Sequence, residues 1–146
     1  MKIRLIWVGK TKEQFAAEGI KKYLRLLKPL ADVSVREIKE EKVKDIPRAL
    51  QKEGERVLGL RVPYVLLDEK GKTLTSTQFA EFLFSRGPEI NFVVGGAYGV
   101  SEEVRKSSQC AVALSRMTFT HDMARIFLLE QIYRSFAIVN KRGYHH

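Results

Sequence analysis

Residues 91–104, NFVVGGAYGVSEEV, place an apolar run, the glycines Gly95, Gly96 and Gly99, and a helix start in direct succession. Glycine tolerates positive φ and lets a ligand approach the backbone closely. Ser101 is a good N-cap, and Glu102 and Glu103 complement the positive end of the helix that follows. The spacing is not the dinucleotide fingerprint G-x-G-x-x-G, and no G-K-[ST] follows to make a phosphate loop. The two glutamates also occupy the first turn, where a phosphate would have to bind. By itself the turn therefore favours a neutral or zwitterionic small molecule, or a tight β–α turn with no ligand.

The other candidate groups narrow the chemistry further. The histidines are His121, His145 and His146, and apart from the adjacent tail pair none has metal-ligand spacing, so no metal is expected. His121 sits in SRMTFTHDMAR between Thr120 and Asp122, which read as caps of the helix starting there. Glu130 and Arg134 are spaced i, i+4, the pattern of a helical ion pair. No Ser-His-Asp order with a nucleophile elbow occurs, and no pair of carboxylates has a convincing context, which argues against hydrolysis. What remains suits group transfer from a reactive cofactor, with the protein supplying position and electrostatics. The tail NKRGYHH mixes basic, aromatic and imidazole groups, a mixture suited to a phosphate backbone and a splayed-out base. The single cysteine, Cys110, excludes an intrachain disulfide and reads as a buried thiol in CAVAL.

These groups need a scaffold, and the apolar pattern supplies one. Strand-length runs at 3–8 (IRLIWV), 33–38 (VSVREI), 64–67 (YVLL), 90–94 (INFVV) and 110–114 (CAVAL) alternate with helical spacing at 12–28, 45–58, 76–86, 101–107 and 122–139. Phe15, Ile20, Tyr23, Leu24 and Leu27 form the apolar stripe of the first helix, and Pro29 lies just past its end. Five β–α repeats with continuous apolar strands at the centre predict an α/β fold, a mostly parallel sheet of about five strands with helices on both faces. The length fits a single domain over residues 1–146.

The last helix is apolar round more than one face, through Met123, Ile126, Phe127, Leu128, Leu129, Ile132, Tyr133 and Phe136. That leaves Arg125, Glu130, Gln131, Arg134 and Ser135 for a polar face and predicts a second chain against it, as a homodimer. The alternative is a helix buried deep in the monomer. Twenty-six Lys and Arg against seventeen Asp and Glu give a formal charge of +9. Lys10, Lys12, Lys21, Lys22, Arg25 and Lys28 concentrate it in or just before the first helix, with Lys141 and Arg142 in the tail. Such a basic balance is the footprint of a nucleic-acid partner. The N-terminal apolar run is too short for a signal peptide, and no run approaches a membrane span, so the expectation is a cytoplasmic protein with no membrane partner.

VLLDEKG, FVVGGAYGVSEEV, LSRMTFTHDMARIFLLEQIYRSFAI and the closing YHH, in that order, resemble the ribosomal RNA large subunit methyltransferase H family of the SPOUT superfamily, over the whole chain. The resemblance implies an α/β domain whose C-terminal part threads a deep trefoil knot, an exception to the usual absence of knots. It implies a homodimer that binds S-adenosylmethionine in a bend inside the knot. It further implies methylation of N3 of a pseudouridine in 23S rRNA of the assembled ribosome. Carried over by motif, Leu67, Gly95 and the loop Leu114, Ser115, Arg116, Met117, Thr118 and Phe119 would contact the cofactor. The loop would do so largely through backbone groups. His121, Arg134, Tyr144 and His145 match positions on the substrate side. In that setting Arg134 or a tail group would stabilise the anion developing at N3, and His121 would relay its proton. Two competing readings use the same residues: a non-enzymatic basic RNA-binding protein and a nucleotide-binding regulator.

Overall fold

The computed structural model describes residues 1–42, 44–141 and 143–144 of the chain. Ten elements alternate without exception: β1 (Lys2–Val8), α1 (Gln14–Leu27), β2 (Asp32–Ile38), α2 (Ile46–Leu58), β3 (Val65–Thr73), α3 (Ser76–Ser85), β4 (Glu89–Val94), α4 (Glu102–Ser107), β5 (Cys110–Ala113) and α5 (His121–Val139). The strands form one sheet in the order β2-β1-β4-β3-β5, and every neighbouring pair is parallel. At the centre Leu5 lies between Val35 of β2 and Phe92 of β4. Both faces of β1 and β4 are buried, which is why IRLIWV and INFVV are continuous apolar runs.

Helices α1, α3 and α5 cover one face and α2 and α4 the other. On the first face Ile3, Leu5, Trp7 and Phe92 pack with Leu27, Phe79, Leu83, Leu128, Leu129 and Ile132. On the second, Ile6, Val8, Leu66 and Val93 pack with Val57 and Val104. Leu128, Leu129 and Ile132 are fully buried, each worth about 1.5–3 kcal/mol relative to exposure.

The helix starts follow their caps. Asp45 accepts from the Arg48 amide at 3.3 Å, Thr75 and Gln78 form a reciprocal capping box, and Ser101 accepts from the Val104 amide at 3.3 Å. Thr120 caps α5 by accepting from the Met123 amide at 3.3 Å.

Three expectations need revision. Phe15, placed on the core stripe of α1, is 57% exposed, because the face that meets the core runs through Ala16, Ile20 and Leu27 instead. Cys110 is half-buried and accepts a hydrogen bond from Arg86 Nη2 at 3.5 Å. The apolar excess of α5 has a cause inside the chain: the helix lies on the sheet between α1 and α3, and every residue from 121 to 138 is at least partly buried. That excess alone therefore carries no second subunit.

Candidate active site

Parallel pairing brings the candidate cofactor segments together. Leu67 of β3 lies beside Val94 of β4 on one side and Val112 of β5 on the other. Gly95 directly follows Val94, and Leu114 directly follows β5, so the three loops leave neighbouring strand ends side by side. Such an edge is where open α/β sheets hold ligands.

The loop after Leu67 carries contacts that the sequence did not single out. The β3–β5 ladder breaks after Leu67 and resumes at Lys72, so residues 68–71 bulge outward before rejoining β5. At the rejoining point a Cβ on Gly71 would stand 2.6 Å from the Ala111 carbonyl carbon, so only glycine fits. Asp68 pairs with Arg105 of α4 and accepts from the Lys70 amide at 2.8 Å. Glu69 accepts from the Thr118 hydroxyl at 2.5 Å. The bulge thus ties α4 to the 114–119 loop. Its sequence signal was the Asp68-x-x-Gly71 turn spacing in VLLDEKG.

In the glycine turn, the Gly99 amide donates to the Gly96 carbonyl at 3.1 Å and Gly99 has φ +82°. A Cβ on Gly95 would lie 2.7 Å from the Gly99 carbonyl oxygen. Gly95 is therefore required first by closure of the turn, and a larger residue there would disturb the fold locally as well as any ligand. Tyr98, at the tip, is 70% exposed.

The 114–119 loop stands open. Leu114 and Ser115 are half-buried, and Arg116, Met117, Thr118 and Phe119 are exposed, Met117 by 75%. The Met117 amide donates to the Ser115 hydroxyl at 3.0 Å. The Arg116, Thr118 and Phe119 amides donate to no backbone carbonyl among the described residues. Beside the loop opens a cleft of about 220 Å³, bordered by Leu114, Phe119, Val112, Phe79 and Phe127. Ser76 donates to Gln131 at 2.8 Å at its polar end. Among the described residues no lysine or arginine lines it. Apolar walls and no cationic cradle fit a nucleoside thioether or sulfonium better than a polyphosphate, although of the predicted cofactor residues only Leu114 and Phe119 line this cleft, and Leu67 and Gly95 do not.

His121 is the first residue of α5, half-buried, with Nε2 3.4 Å from Asp122 Oδ1. Burial, reinforced by the Arg125 charge, lowers its pKa despite Asp122, so the ring is neutral at pH 7. Asp122 does not cap α5. Its Oδ2 accepts from the Lys12 and Glu13 amides at 2.9 and 2.8 Å, filling the start of α1, where Glu13 makes no side-chain cap. Arg125, assigned to a polar face by sequence, is fully buried. Its Nη2 donates to the carbonyls of Val8 (2.7 Å) and Gly9 (3.0 Å), and its Nη1 donates to Thr11 Oγ1 (3.0 Å). The guanidinium also lies over the Trp7 ring at 4.9 Å. Burial brings its pKa down to about 10, which leaves it charged at neutral pH.

Arg134 and Tyr144 form a second cluster at the other end of α5. Arg134 Nε and Nη2 donate to Glu130 Oε1 at 3.0 and 2.6 Å, as the i, i+4 spacing predicts. The Tyr144 hydroxyl donates to the same oxygen at 3.2 Å. The Arg134 guanidinium lies 4.9 Å over the Tyr144 ring, which meets Tyr133 edge-on, and Tyr144 OH lies 3.5 Å from Tyr23 OH of α1. Burial, then the hydrogen bond with Tyr23 and the Glu130 charge, raise the Tyr144 pKa, so it remains a proton donor at neutral pH. The hydrogen bond to Glu130 raises that of Arg134. His145 lies outside the described residues, as do Arg142 and His146.

One chain does not unite all of these groups. His121 and the 114–119 loop stand at the start of α5, whereas Arg134 is thirteen residues further on, about 20 Å along the axis. Among the described residues no helix is long and apolar enough to cross a membrane, and no group of three or more His, Cys, Asp or Glu residues is placed to hold a metal.

A doubly wound parallel sheet with three loops gathered at adjacent strand ends defines an α/β fold of the kind that binds small molecules at that edge. Residues 1–145 match the family model described as "Predicted SPOUT methyltransferase", and the chain belongs to that family. It is 43% identical to "Ribosomal RNA large subunit methyltransferase H" of Geotalea uraniireducens (strain Rf4), over 100% of both chains. It is 39% identical to the protein of the same name from Thermodesulfovibrio yellowstonii, over 99% of each. Among solved structures, "a probable methylase family protein from Haemophilus influenzae Rd KW20" superposes with a TM-score of 0.60 at 12% identity, covering 99% of this chain and 70% of that one. TrmJ from Z. mobilis ZM4 superposes at 0.54 and 8% identity, over 92% and 69% respectively. Both likenesses bear on the fold alone.

Proposed function

We propose that this chain, as one domain over residues 1–146, methylates N3 of a pseudouridine in 23S rRNA of the assembled ribosome. In this reading it is a cytoplasmic homodimer and its methyl donor is S-adenosylmethionine. The observation that carries the reading is the convergence of Leu67, Gly95 and Leu114–Phe119 at adjacent strand ends, with an apolar cleft bordered by Leu114 and Phe119 on one side of the loop. The relatives named rRNA large subunit methyltransferases, similar from end to end, supply the substrate class. The C-terminal trefoil knot is part of the same reading.

S-adenosylmethionine bound there supplies an electrophilic methyl group. The work of the protein is then orientation and charge. Leu67, Gly95 and the 114–119 loop would hold the donor and exclude water, so that the attacking nitrogen meets the methyl carbon in line. N3 of a pseudouridine carries a proton that must leave. Neutral His121, beside the loop, is suited to accept and pass on that proton. Charged Arg134 and protonated Tyr144 are suited to stabilise the anion that develops.

Those two sets lie about 20 Å apart on one α5. A two-fold pairing that runs α5 against its copy would bring the tail cluster of one subunit to the loop of the other, and this supports the homodimer. Exposed Phe15, Met117 and Phe119 are apolar surface available for such a contact or for the substrate. Calorimetry tests the cofactor half: saturable 1:1 binding of S-adenosylmethionine is expected, and heats indistinguishable from dilution would leave a basic RNA-binding protein without transferase activity. A monomeric mass by light scattering at micromolar concentration would remove the dimer.

A further inference from the structure

The second half of α1 carries charge that no carboxylate among the described residues pairs with. From Gly19 to Lys28 the sequence is GIKKYLRLLK, with four cations and no acid. Lys21, Arg25 and Lys28 fall at i, i+4 and i+7, which is one ridge of the helix spanning about 10 Å. Lys22 stands beside it. All four are exposed, and none lies within ion-pair distance of a carboxylate among the described residues. The opposite side of the helix buries Ala16, Ile20 and Leu27. Complementing the helix dipole accounts for cations in the last turn only and does not reach Lys21 and Lys22. On the same face of the sheet α3 (STQFAEFLFS) has no cation, Arg125 is buried, and Arg134 is engaged with Glu130.

The position of the ridge matters as much as its charge. Lys22 lies 5.9 Å over the ring of Tyr23, and the Tyr23 hydroxyl is 3.5 Å from that of Tyr144. Lys22 therefore links the cations of α1 to the Tyr144–Arg134 cluster, while Lys21, Arg25 and Lys28 lie on the side of the helix away from Tyr23. A row of cations reads a phosphate backbone, and rings beside it receive an unstacked base.

We infer that the Lys21–Arg25–Lys28 ridge, with Lys22 on the side toward Tyr23 and Tyr144, is the surface on which the phosphate backbone of the RNA rests. This rests on the RNA reading above and adds the docking face to it.

The test compares two variants that each lose three positive charges. Lys21→Ala/Arg25→Ala/Lys28→Ala clears the ridge. Lys44→Ala/Arg48→Ala/Lys52→Ala clears cations from the start of α2, on the other face of the sheet. Binding of each to assembled ribosomes is measured against salt concentration, and light scattering confirms that both keep the wild-type mass. The ridge variant should bind about tenfold or more weakly than the control. Its log–log salt slope should be shallower by about 2 to 3, at roughly 0.7–0.9 for each phosphate that is no longer neutralised. S-adenosylmethionine affinity should not change in either variant. Equal affinities and equal slopes for the two variants would overturn the inference. If the wild-type protein bound ribosomes but transferred no methyl group, the enzymatic reading would fail while the binding comparison still decided the ridge.

Discussion

Replacing Arg125 by methionine keeps most of the side-chain volume and removes one charge from the centre of the molecule. Arg125 is fully buried and donates to the Val8 and Gly9 carbonyls and to Thr11. Its nearest opposite charge is Asp122, 3.8 Å away, which in turn caps α1 through the Lys12 and Glu13 amides. The variant leaves those carbonyls unpaired and Asp122 as a buried charge without its counterion. Breaking a buried pair from one side costs about 3–5 kcal/mol. At about 2–4 °C per kcal/mol for a chain near this size, the melting temperature should fall by roughly 6–20 °C. Urea unfolding should show a lower midpoint with unchanged m, the sign of lost stability rather than altered compactness. Asp122→Asn, which retains an oxygen for the two amides, should cost less than Arg125→Met. Methyl-donor binding should weaken in step, because Arg125 pins the start of α5, from which the 114–119 loop hangs. A stability loss under about 1 kcal/mol for Arg125→Met would refute this account of the clamp.

Other outcomes follow from single contacts. His121 has a folded pKa below its ordinary value of 6.5, so the unfolded chain binds its proton first. Its contribution to stability is complete above about pH 6.5 and declines as pH falls toward the folded pKa. His121→Asn should remove that part of the acid-side loss in melting curves taken across pH, and an unchanged profile would count against it. Gly71→Ala puts a Cβ 2.6 Å from the β5 backbone and should lower stability by about 1–3 kcal/mol in urea unfolding. Arg134→Ala should lower kcat by about 100-fold or more with S-adenosylmethionine affinity intact. Full turnover in that variant would remove Arg134 from the mechanism.

The elements were legible in the sequence because buried parallel strands and capped amphipathic helices leave simple patterns. α5, read as 122–139, runs His121–Val139, and α2, read as 45–58, runs Ile46–Leu58. β3 extends to Thr73 instead of ending at Leu67, because residues 68–71 carry turn chemistry and the strand resumes only by pairing with β5. No local pattern announces such a long-range partner. Periodicity also cannot say which polar residue of a helix turns inward, so Arg125 was missed, and so was the reach of Asp122 to the start of α1, 110 residues away at Lys12. The resemblance grouped His121 with Arg134 and Tyr144. In one chain they stand at opposite ends of α5, so the proposed homodimer rests on that separation rather than on apolar surface.

Methyl transfer itself bears most directly on the central claim. Purified protein, labelled S-adenosylmethionine and assembled ribosomes from a strain lacking this methylation should yield one labelled 23S rRNA nucleotide, identified by mass spectrometry as 3-methylpseudouridine. Isolated subunits and free rRNA should be much poorer substrates. Ribosomes left unlabelled by protein that binds the cofactor, or label at a carbon or a ribose oxygen, would contradict the account.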